Sequence, residues 1–147
     1  MSIYTFTYTL HHILLLKLIA TFSFERTRTL HNFLFLAVAN SPPTQRMGIN
    51  YQFYKVTMGV HSFEIEAFLN DLKKGELLKK ESLSLTKEGH DFYYQVASLL
   101  RYESFPQYCL KMALQYQNNL WRVNHEIVFH PLFRKHKRGR KIILPVA

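Results

Sequence analysis

Residues His11 to Phe24 read HHILLLKLIATFSF, and this run constrains the fold more than any other stretch of the chain. A helix over Leu10 to Thr21 has apolar side chains nearly all round, which indicates deep burial. Lys17 interrupts the run, its apolar part is far shorter than the ~20 residues of a membrane span, and no small-residue signal cleavage site follows. We therefore expect a buried helix in a small folded protein, with no membrane span.

The composition is that of one folded domain, or of one domain with a tail, carrying excess positive charge. Of the 147 residues, 48% are apolar, which is enough for a core. The net charge of +9 favours phosphate-rich partners or an anionic membrane. Cys109 is the sole cysteine, which excludes an intrachain disulfide and a cysteine-based zinc site and fits a reducing, cytoplasmic location.

The first part of the chain predicts a strand followed by two helices. The segment IYTFTYTL alternates aromatic residues with threonine, the period of a strand, so residues 1–9 are expected to form an N-terminal strand. After the buried helix, Thr27 or Thr29 can cap a second helix that ends at Asn40, before Pro42 and Pro43.

A second strand and an amphipathic third helix are predicted next. Tyr51 to Thr57 has strand character, and Gly59 marks a turn. Ser62 is an N-cap for a helix over Phe63 to Lys74, and Gly75 stands where a left-handed C-cap is expected. The apolar residues of this helix fall on one face, which should pack on the core: Ile65, Phe68, Leu69 and Leu72.

The remaining pattern predicts a hairpin and two more helices. Leu77 to Leu85 is interpreted as a hairpin that turns near Glu81 and Ser82, and Thr86 caps a helix from Lys87 to about Tyr102. A final helix is capped at Ser104, with Pro106 in its first turn and Gln107 completing a capping-box spacing, and runs to about Trp121.

Helix, helix, helix, two-stranded wing, helix is the order of a winged helix-turn-helix. We predict an α+β, mainly helical fold: a winged helix with a small antiparallel sheet and extra C-terminal helices. The predicted units are an N-terminal strand at 1–9, a winged-helix domain at 10–102, a helical extension at 103–130 and a basic tail at 131–147.

Three segments resemble the YwgA-like winged-helix proteins and, more loosely, the SocA-like (Panacea) antitoxin domains. LHNFLFLA (30–37) is similar to their second helix, YQFYKVTMGVHSFEIEAFLNDL (51–72) to their aromatic strand, turn and third helix, and LTKEGHDFY (85–93) to their wing-to-helix junction. Val60 and His61 depart from the family's Pro-Tyr turn, and Asn32 stands where Lys is usual. The resemblance implies a winged helix linked to transcription or to toxin–antitoxin systems; it narrows fold more than activity.

Motifs for catalysis or for metal binding are weak. His125 and His130 in NHEIVFH are five residues apart rather than four, and Pro131 ends any helix there, so a zinc-protease motif is rejected. Cys109 lies at helical spacing with core positions, as an inert buried thiol does. The glycines are scattered singly, without a phosphate-binding loop. We expect no enzyme, no cofactor and no metal.

Nucleic-acid binding is the function that the charge pattern favours. On the third helix, Asn70, Lys73 and Lys74 are the candidates for groove contact, although three acids share that outer face. Lys79 and Lys80 on the predicted wing can contact phosphates. The densest cationic run holds six residues: Arg134, Lys135, Lys137, Arg138, Arg140 and Lys141. If all six met phosphates, the log–log salt slope of binding to double-stranded DNA would be about −5.

The alternative function is a protein-interaction module of antitoxin type that does not bind DNA directly. The mixed charge of the third helix fits this alternative. The N-terminal strand can pair with the edge of a partner chain to give a homodimer, or it can add a third strand to the wing sheet. A non-enzymatic, dimeric winged-helix regulator of transcription is the function that we expect; its target and effector are not predicted.

Overall fold

The structure is a computed structural model that describes residues 7–46 and 49–144. In chain order its helices and strands are α1 (Leu10–Thr21), α2 (Thr27–Asn40), β1 (Phe53–Val56), β2 (Gly59–His61), α3 (Phe63–Lys74), α4 (Lys87–Val96), α5 (Ser104–Gln115), α6 (Val123–Glu126), α7 (Pro131–Arg134) and β3 (Lys141–Ile142). The predicted class is confirmed: the fold is mainly helical with a small antiparallel sheet.

Helix α1 is the buried helix that its composition predicts. Leu15, Leu16 and Leu18 are completely buried, and α1 packs against both α3 and α4. Thr9 precedes the helix, and its backbone N–H donates to His12 Nδ1 at 2.9 Å. No helix in the described part of the chain has both the length and the apolar character needed to cross a bilayer.

The predicted N-terminal strand falls mostly on residues 1–6, which lie outside the described part of the chain. Residues 7–9, which are described, are not in a strand.

Helix α2 is buried from Thr29 to Val38 and begins one residue after Arg26. The predicted capping role of Thr27 or Thr29 is wrong, because both residues lie inside the helix. The Thr29 hydroxyl instead accepts a hydrogen bond from Asn124 Nδ2 at 3.0 Å, which links α2 to α6.

The sheet has the strand order β2–β1–β3, and both pairings are antiparallel. The β1–β2 turn is formed by Thr57 and Met58, so Gly59 is the first residue of β2 rather than part of the turn. Gly59 has φ of 137°, and a Cβ atom built on it would lie 2.1 Å from Asn32 Oδ1. Both the backbone conformation and the close approach of α2 therefore require glycine here.

The predicted wing over Leu77 to Leu85 is reduced to a single antiparallel bridge between Leu78 and Leu85. Lys79 to Ser82 are exposed, so only the two ends of the loop have buried side chains to hold them together. The described strands lie elsewhere, at β1, β2 and β3. The physical reason is that Glu81 and Ser82 are weak turn formers, whereas β1 and β2 are also fixed by α2.

Helix α3 has the predicted bounds and the predicted cap: Ser62 Oγ accepts from the Ile65 N–H at 3.3 Å. Three of the four predicted core residues are buried, and Phe68 is half-buried against the rings of His11 and His12. The left-handed C-cap is not at Gly75, whose φ is −79°, but at Glu76, whose φ is 62°.

The last two predicted helices end early. Thr86 caps α4 as predicted, accepting from the Gly89 N–H at 2.9 Å, but α4 ends at Val96 and a 3-10 turn follows at Ala97–Leu100. The predicted cap and capping box of the next helix are wrong: Ser104 is the first residue of α5 and Glu103 precedes it, while Gln107 Nε2 donates to the Leu100 carbonyl.

Helix α5 ends at Gln115 rather than near Trp121. Gln117 and Asn118 have φ of 48° and 72°, and a helix cannot continue through left-handed residues.

Residues 131–147 were predicted to be a separate basic tail. Those that the structure describes, 131–144, are instead part of the folded unit. They form α7 and β3, and Phe133 and Ile142 are buried in the core.

Candidate nucleic-acid interface

The six cations of the C-terminal run, defined here as the basic cluster (Arg134, Lys135, Lys137, Arg138, Arg140 and Lys141), are all exposed. Ion pairs between described residues involve His12 with Asp71, His61 with Glu66 and Arg122 with Glu126. No member of the basic cluster therefore has a carboxylate partner among residues 7–46 and 49–144. Six uncompensated charges within eight residues produce a strongly positive local potential.

The basic cluster is held in place by Lys55 of β1. Lys55 Nζ donates to the carbonyls of Phe133 at 2.9 Å and His136 at 3.0 Å, and it lies 4.1 Å from the centre of the Phe133 ring. The backbone of Lys55 also donates to the Arg140 carbonyl at 3.0 Å and accepts from the Gly139 N–H at 2.7 Å. One strand residue thus fixes both ends of the loop that carries the cations.

His136 supports the same loop from within. The Ile143 N–H donates to His136 Nε2 at 3.1 Å, so Nε2 carries no proton in this arrangement. Nδ1 is therefore the protonated nitrogen, and it donates to the Leu132 carbonyl at 2.6 Å. The ring closes the loop by joining α7 to the residue that follows β3.

The helix-loop group, defined as Lys73, Lys74, Lys79 and Lys80, lies at the C-terminal end of α3 and in the loop after it. Lys73 is half-buried and the other three lysines are exposed, as is Asn70. The N-terminal end of α3 contacts the sheet, where Phe63 packs on Tyr54. Because a helix rises about 1.5 Å per residue, the helix lysines lie roughly 15 Å from that end. The structure therefore does not bring the helix-loop group together with the basic cluster.

The three acids on the outer face of α3 have polar partners. Glu64 Oε1 accepts from the Gln52 N–H at 2.7 Å, Glu66 pairs with His61 at 2.8 Å, and Asp71 pairs with His12 at 2.9 Å. These contacts do not remove the negative charge that a phosphate would meet. They leave α3 a less favourable surface for a duplex than the basic cluster.

The edge of β2 is closed by polar side chains of α2. Asn32 Oδ1 accepts from the Val60 N–H at 2.9 Å, Arg28 Nη1 donates to the Val60 carbonyl, and His31 Nδ1 accepts from the Ser62 N–H at 3.0 Å. Backbone groups that could pair with another strand are thereby satisfied within the chain. Of the two outer strands of the sheet, β2 is thus unsuited to adding a partner strand.

Sequence reasoning identified the cations but missed Lys55 and the polar residues of α2. Lys55 lies in a simple strand alternation, where it looks like one more solvent-facing residue. The one signal for the polar residues of α2 was that Asn32 stands where the proteins that the chain resembles usually have lysine. A short amide can be buried with all its hydrogen bonds made, whereas a buried lysine would leave its charge without water.

Cys109, His125 and His130, the residues considered for catalysis and metal binding, lie in three different local settings. Cys109 is completely buried, and burial raises the pKa of its thiol above the usual range. His125 is exposed and packs on the Trp121 ring, whereas His130 contacts Asn40 and the Leu132 N–H. Among the described residues, no group of three or more histidine, cysteine, aspartate or glutamate side chains is placed to hold a metal ion.

Comparison of the chain with models of protein families, with curated proteins and with solved structures gives no match.

Proposed function

We propose that this chain is a non-enzymatic nucleic-acid-binding protein that contacts the phosphate backbone of double-stranded DNA through the basic cluster. The observation that carries the proposal is the anchoring of six exposed, unpaired cations on β1 through Lys55. A fixed array of cations loses less conformational entropy on meeting phosphates than a free tail does. Contacts of this kind give affinity that depends on salt and not on base sequence.

The helix-loop group is the proposed second contact. The order of α1, α2, α3, the bridged loop at Leu78 and Leu85, and α4 supports a winged-helix arrangement in which α3 faces the groove. In that arrangement Asn70, Lys73 and Lys74 contact the DNA from α3, and Lys79 and Lys80 contact it from the loop. A role in regulating transcription in the cytoplasm, as a dimer, belongs to the same proposal.

The test is a binding titration of the full chain with random-sequence duplex DNA at several salt concentrations. Replacing Arg138, Arg140 and Lys141 by alanine should reduce the magnitude of the log–log salt slope by roughly 3, because each lost phosphate contact removes about 0.9. A charge-matched control removes three exposed cations from other elements: Lys87, Arg101 and Lys111. It should change the slope by much less.

Equal effects of the two triple substitutions would show that binding follows net charge and would reject the basic cluster as the interface. An absence of duplex binding at near-physiological salt, together with co-purification of a specific protein, would favour the antitoxin-type interaction module instead. Lys73→Glu with Lys74→Glu separates the second contact from the first, since it should abolish a sequence preference and leave backbone binding in place.

A further inference from the structure

The sheet has one face turned to the core and one that is open. Directly opposed residues of antiparallel strands point to the same face. Phe53 is opposite Ile142, and Lys55 is opposite Val60; Phe53, Ile142 and Val60 are all buried, so this face belongs to the core. Tyr54 is opposite both His61 and Lys141, and alternation places these three on the other face. We call the three ring-bearing residues on this side, Tyr54, His61 and Phe63, the aromatic row.

Phe63 is the most exposed member of the aromatic row. The residue is 60% exposed, although it lies at the start of α3 directly after the sheet. Its ring centre is 5.6 Å from that of Tyr54 and 4.9 Å from that of His61, with interplanar angles of 66° and 74°. Edge-to-face contacts of this kind support the ring without covering a whole face of it. The ring is therefore fixed in orientation while much of it remains open to a ligand.

One cation shares the open face with these rings. Lys141 is the cross-strand neighbour of Tyr54, at the ~4.8 Å separation of adjacent strands. Arg140 follows in the same register opposite Lys55, so its side chain starts on the other face. The carboxylates that follow Phe63 on α3 keep their charge but have polar partners: Glu66 pairs with His61, and Glu64 accepts hydrogen bonds from Gln52 and Ser62. The open face thus combines a braced, exposed aromatic ring with unpaired positive charge.

We propose that this open face binds unpaired bases of a single-stranded nucleic acid, with Phe63 and Tyr54 stacking on the bases and Lys141 of the basic cluster contacting the phosphates. The inference rests on the proposed backbone contacts and adds a ligand class to them, nucleic acid with a single-stranded stretch. Stacking on aromatic side chains beside a cationic track is the general means of holding a single strand, because every base has an apolar face. In a duplex those faces are covered by neighbouring base pairs.

A protein partner fits this face less well. The centre of a protein interface is depleted in charged residues and covers about 800 Å² on each partner. Here Lys141, one of the six cations of the basic cluster, lies across the strand from Tyr54 beside the exposed Phe63, so charge complementarity favours a polyanion.

The experiment compares two labelled strands of equal length by fluorescence anisotropy: oligothymidylate, and the same backbone with abasic sites in place of the bases. The full chain should bind oligothymidylate more tightly than the abasic strand. Phe63→Ala should weaken oligothymidylate binding roughly 5- to 100-fold, the range expected for loss of one base–aromatic stack, and should leave abasic binding unchanged. Tyr94→Ala is the control, since Tyr94 is 77% exposed on α4, which packs against α1.

Phe63→Leu separates stacking from apolar contact and from misfolding, because leucine keeps the bulk without the aromatic face. It should lose most of the affinity that Phe63→Ala loses. Full retention of affinity in Phe63→Leu, or equal binding of the two strands by the parent chain, would overturn the inference and leave backbone binding standing. Conversion of a dimer to a monomer by Phe63→Ala would also overturn it, since the face would then join two copies of the chain. If the parent chain bound neither strand nor duplex DNA in a salt-dependent way, the proposed function itself would be rejected instead.

Discussion

Asn32 and Val60 join the second helix to the edge of the sheet: Asn32 Oδ1 accepts from the backbone N–H of Val60 at 2.9 Å. Asn32 is completely buried, and its Nδ2 donates to Asn124 Oδ1 at 2.8 Å and to the Met58 carbonyl at 3.3 Å. A single amide thus connects α2, the hairpin turn and α6. Because Val60 is completely buried, its N–H would have no acceptor without this amide, so Asn32 is expected to contribute strongly to stability.

Asn32→Ala should therefore reduce the free energy of unfolding by about 2–4 kcal/mol, because the Val60 N–H loses its acceptor and a cavity remains. The measurement is urea denaturation followed by circular dichroism. Asn70→Ala is the matched control, since Asn70 is exposed on α3 and its replacement should have little effect. Similar losses in the two variants would contradict the assigned role of Asn32.

Gly59→Ala should also destabilise the chain, because a Cβ atom there would overlap Asn32 and alanine is strained at φ of 137°. Gly139 has φ of 82° but no atom within 4 Å of its ideal Cβ position, so Gly139→Ala isolates the conformational strain from the overlap. We expect Gly59→Ala to lose more unfolding free energy than Gly139→Ala. We also expect Gly59→Ala to be less destabilising in the Asn32→Ala background than in the parent chain. Additive losses in the double variant would show that the two residues do not act together.

Stability should fall as pH is lowered from neutral. Burial, and then the nearby His61 and Arg28, lower the pKa of His31 to about 3. The unfolded chain takes up this proton near pH 6.5 and the folded chain does not, so the contribution of His31 is complete above that pH and is lost as pH falls toward 3. Between pH 6.5 and pH 5 this amounts to about 2 kcal/mol.

Urea denaturation of the parent chain and of His31→Gln at several pH values measures that contribution. Glutamine can still accept from the Ser62 N–H but does not titrate, so the variant should lose less stability on acidification. His11 and His130 have pKa values that burial also lowers, and they add a weaker dependence of the same sign. An unchanged pH dependence in His31→Gln would contradict the assignment.

Local patterns predicted the helices well and the sheet poorly. The all-apolar run of α1, the amphipathic period of α3 and the hydroxyl cap of α4 at Thr86 each act within a few residues, so they are readable from the chain itself. β3 has two residues, Lys141 and Ile142, and no period can be recognised in so short a strand. Its pairing with β1 spans most of the chain and depends on which partner is nearby after the helices have packed.

The candidate interface, too, was predictable only in its local features. Charge density identified the basic cluster because a run of cations is a local property. Its anchoring by Lys55 was not predictable, since the acceptors are backbone carbonyls of Phe133 and His136 that the sequence does not distinguish from any others. The predicted wing is reduced to one bridge for the converse reason: Leu83, Ser84 and Leu85 alternate like a strand, but only Leu85 has a bridge partner.

Cys109 should be unreactive in the native chain, because its thiol is fully buried and burial raises its pKa, which lowers the fraction of reactive thiolate. Ellman's reagent should react slowly in buffer and promptly in denaturant. Complete modification within the mixing time under native conditions would place the thiol at the surface, contrary to its position in α5.

Lys55→Met should release the basic cluster from the sheet while leaving its six charges in place. Methionine keeps the apolar stem of lysine over the Phe133 ring, but the two carbonyls lose a charged donor, a loss of about 2 kcal/mol. Hydrogen exchange measured by mass spectrometry should show faster exchange in 132–144 and little change in α1 or α3. Lys111→Met, an exposed position on α5, should leave the exchange of 132–144 unaltered.

Because the six charges of the basic cluster are unchanged in Lys55→Met, the salt slope of nucleic-acid binding should be retained. The affinity should fall, since the free-energy cost of ordering the loop then arises in the binding step. Unaltered exchange in Lys55→Met would mean that β3 and His136 hold the basic cluster without Lys55.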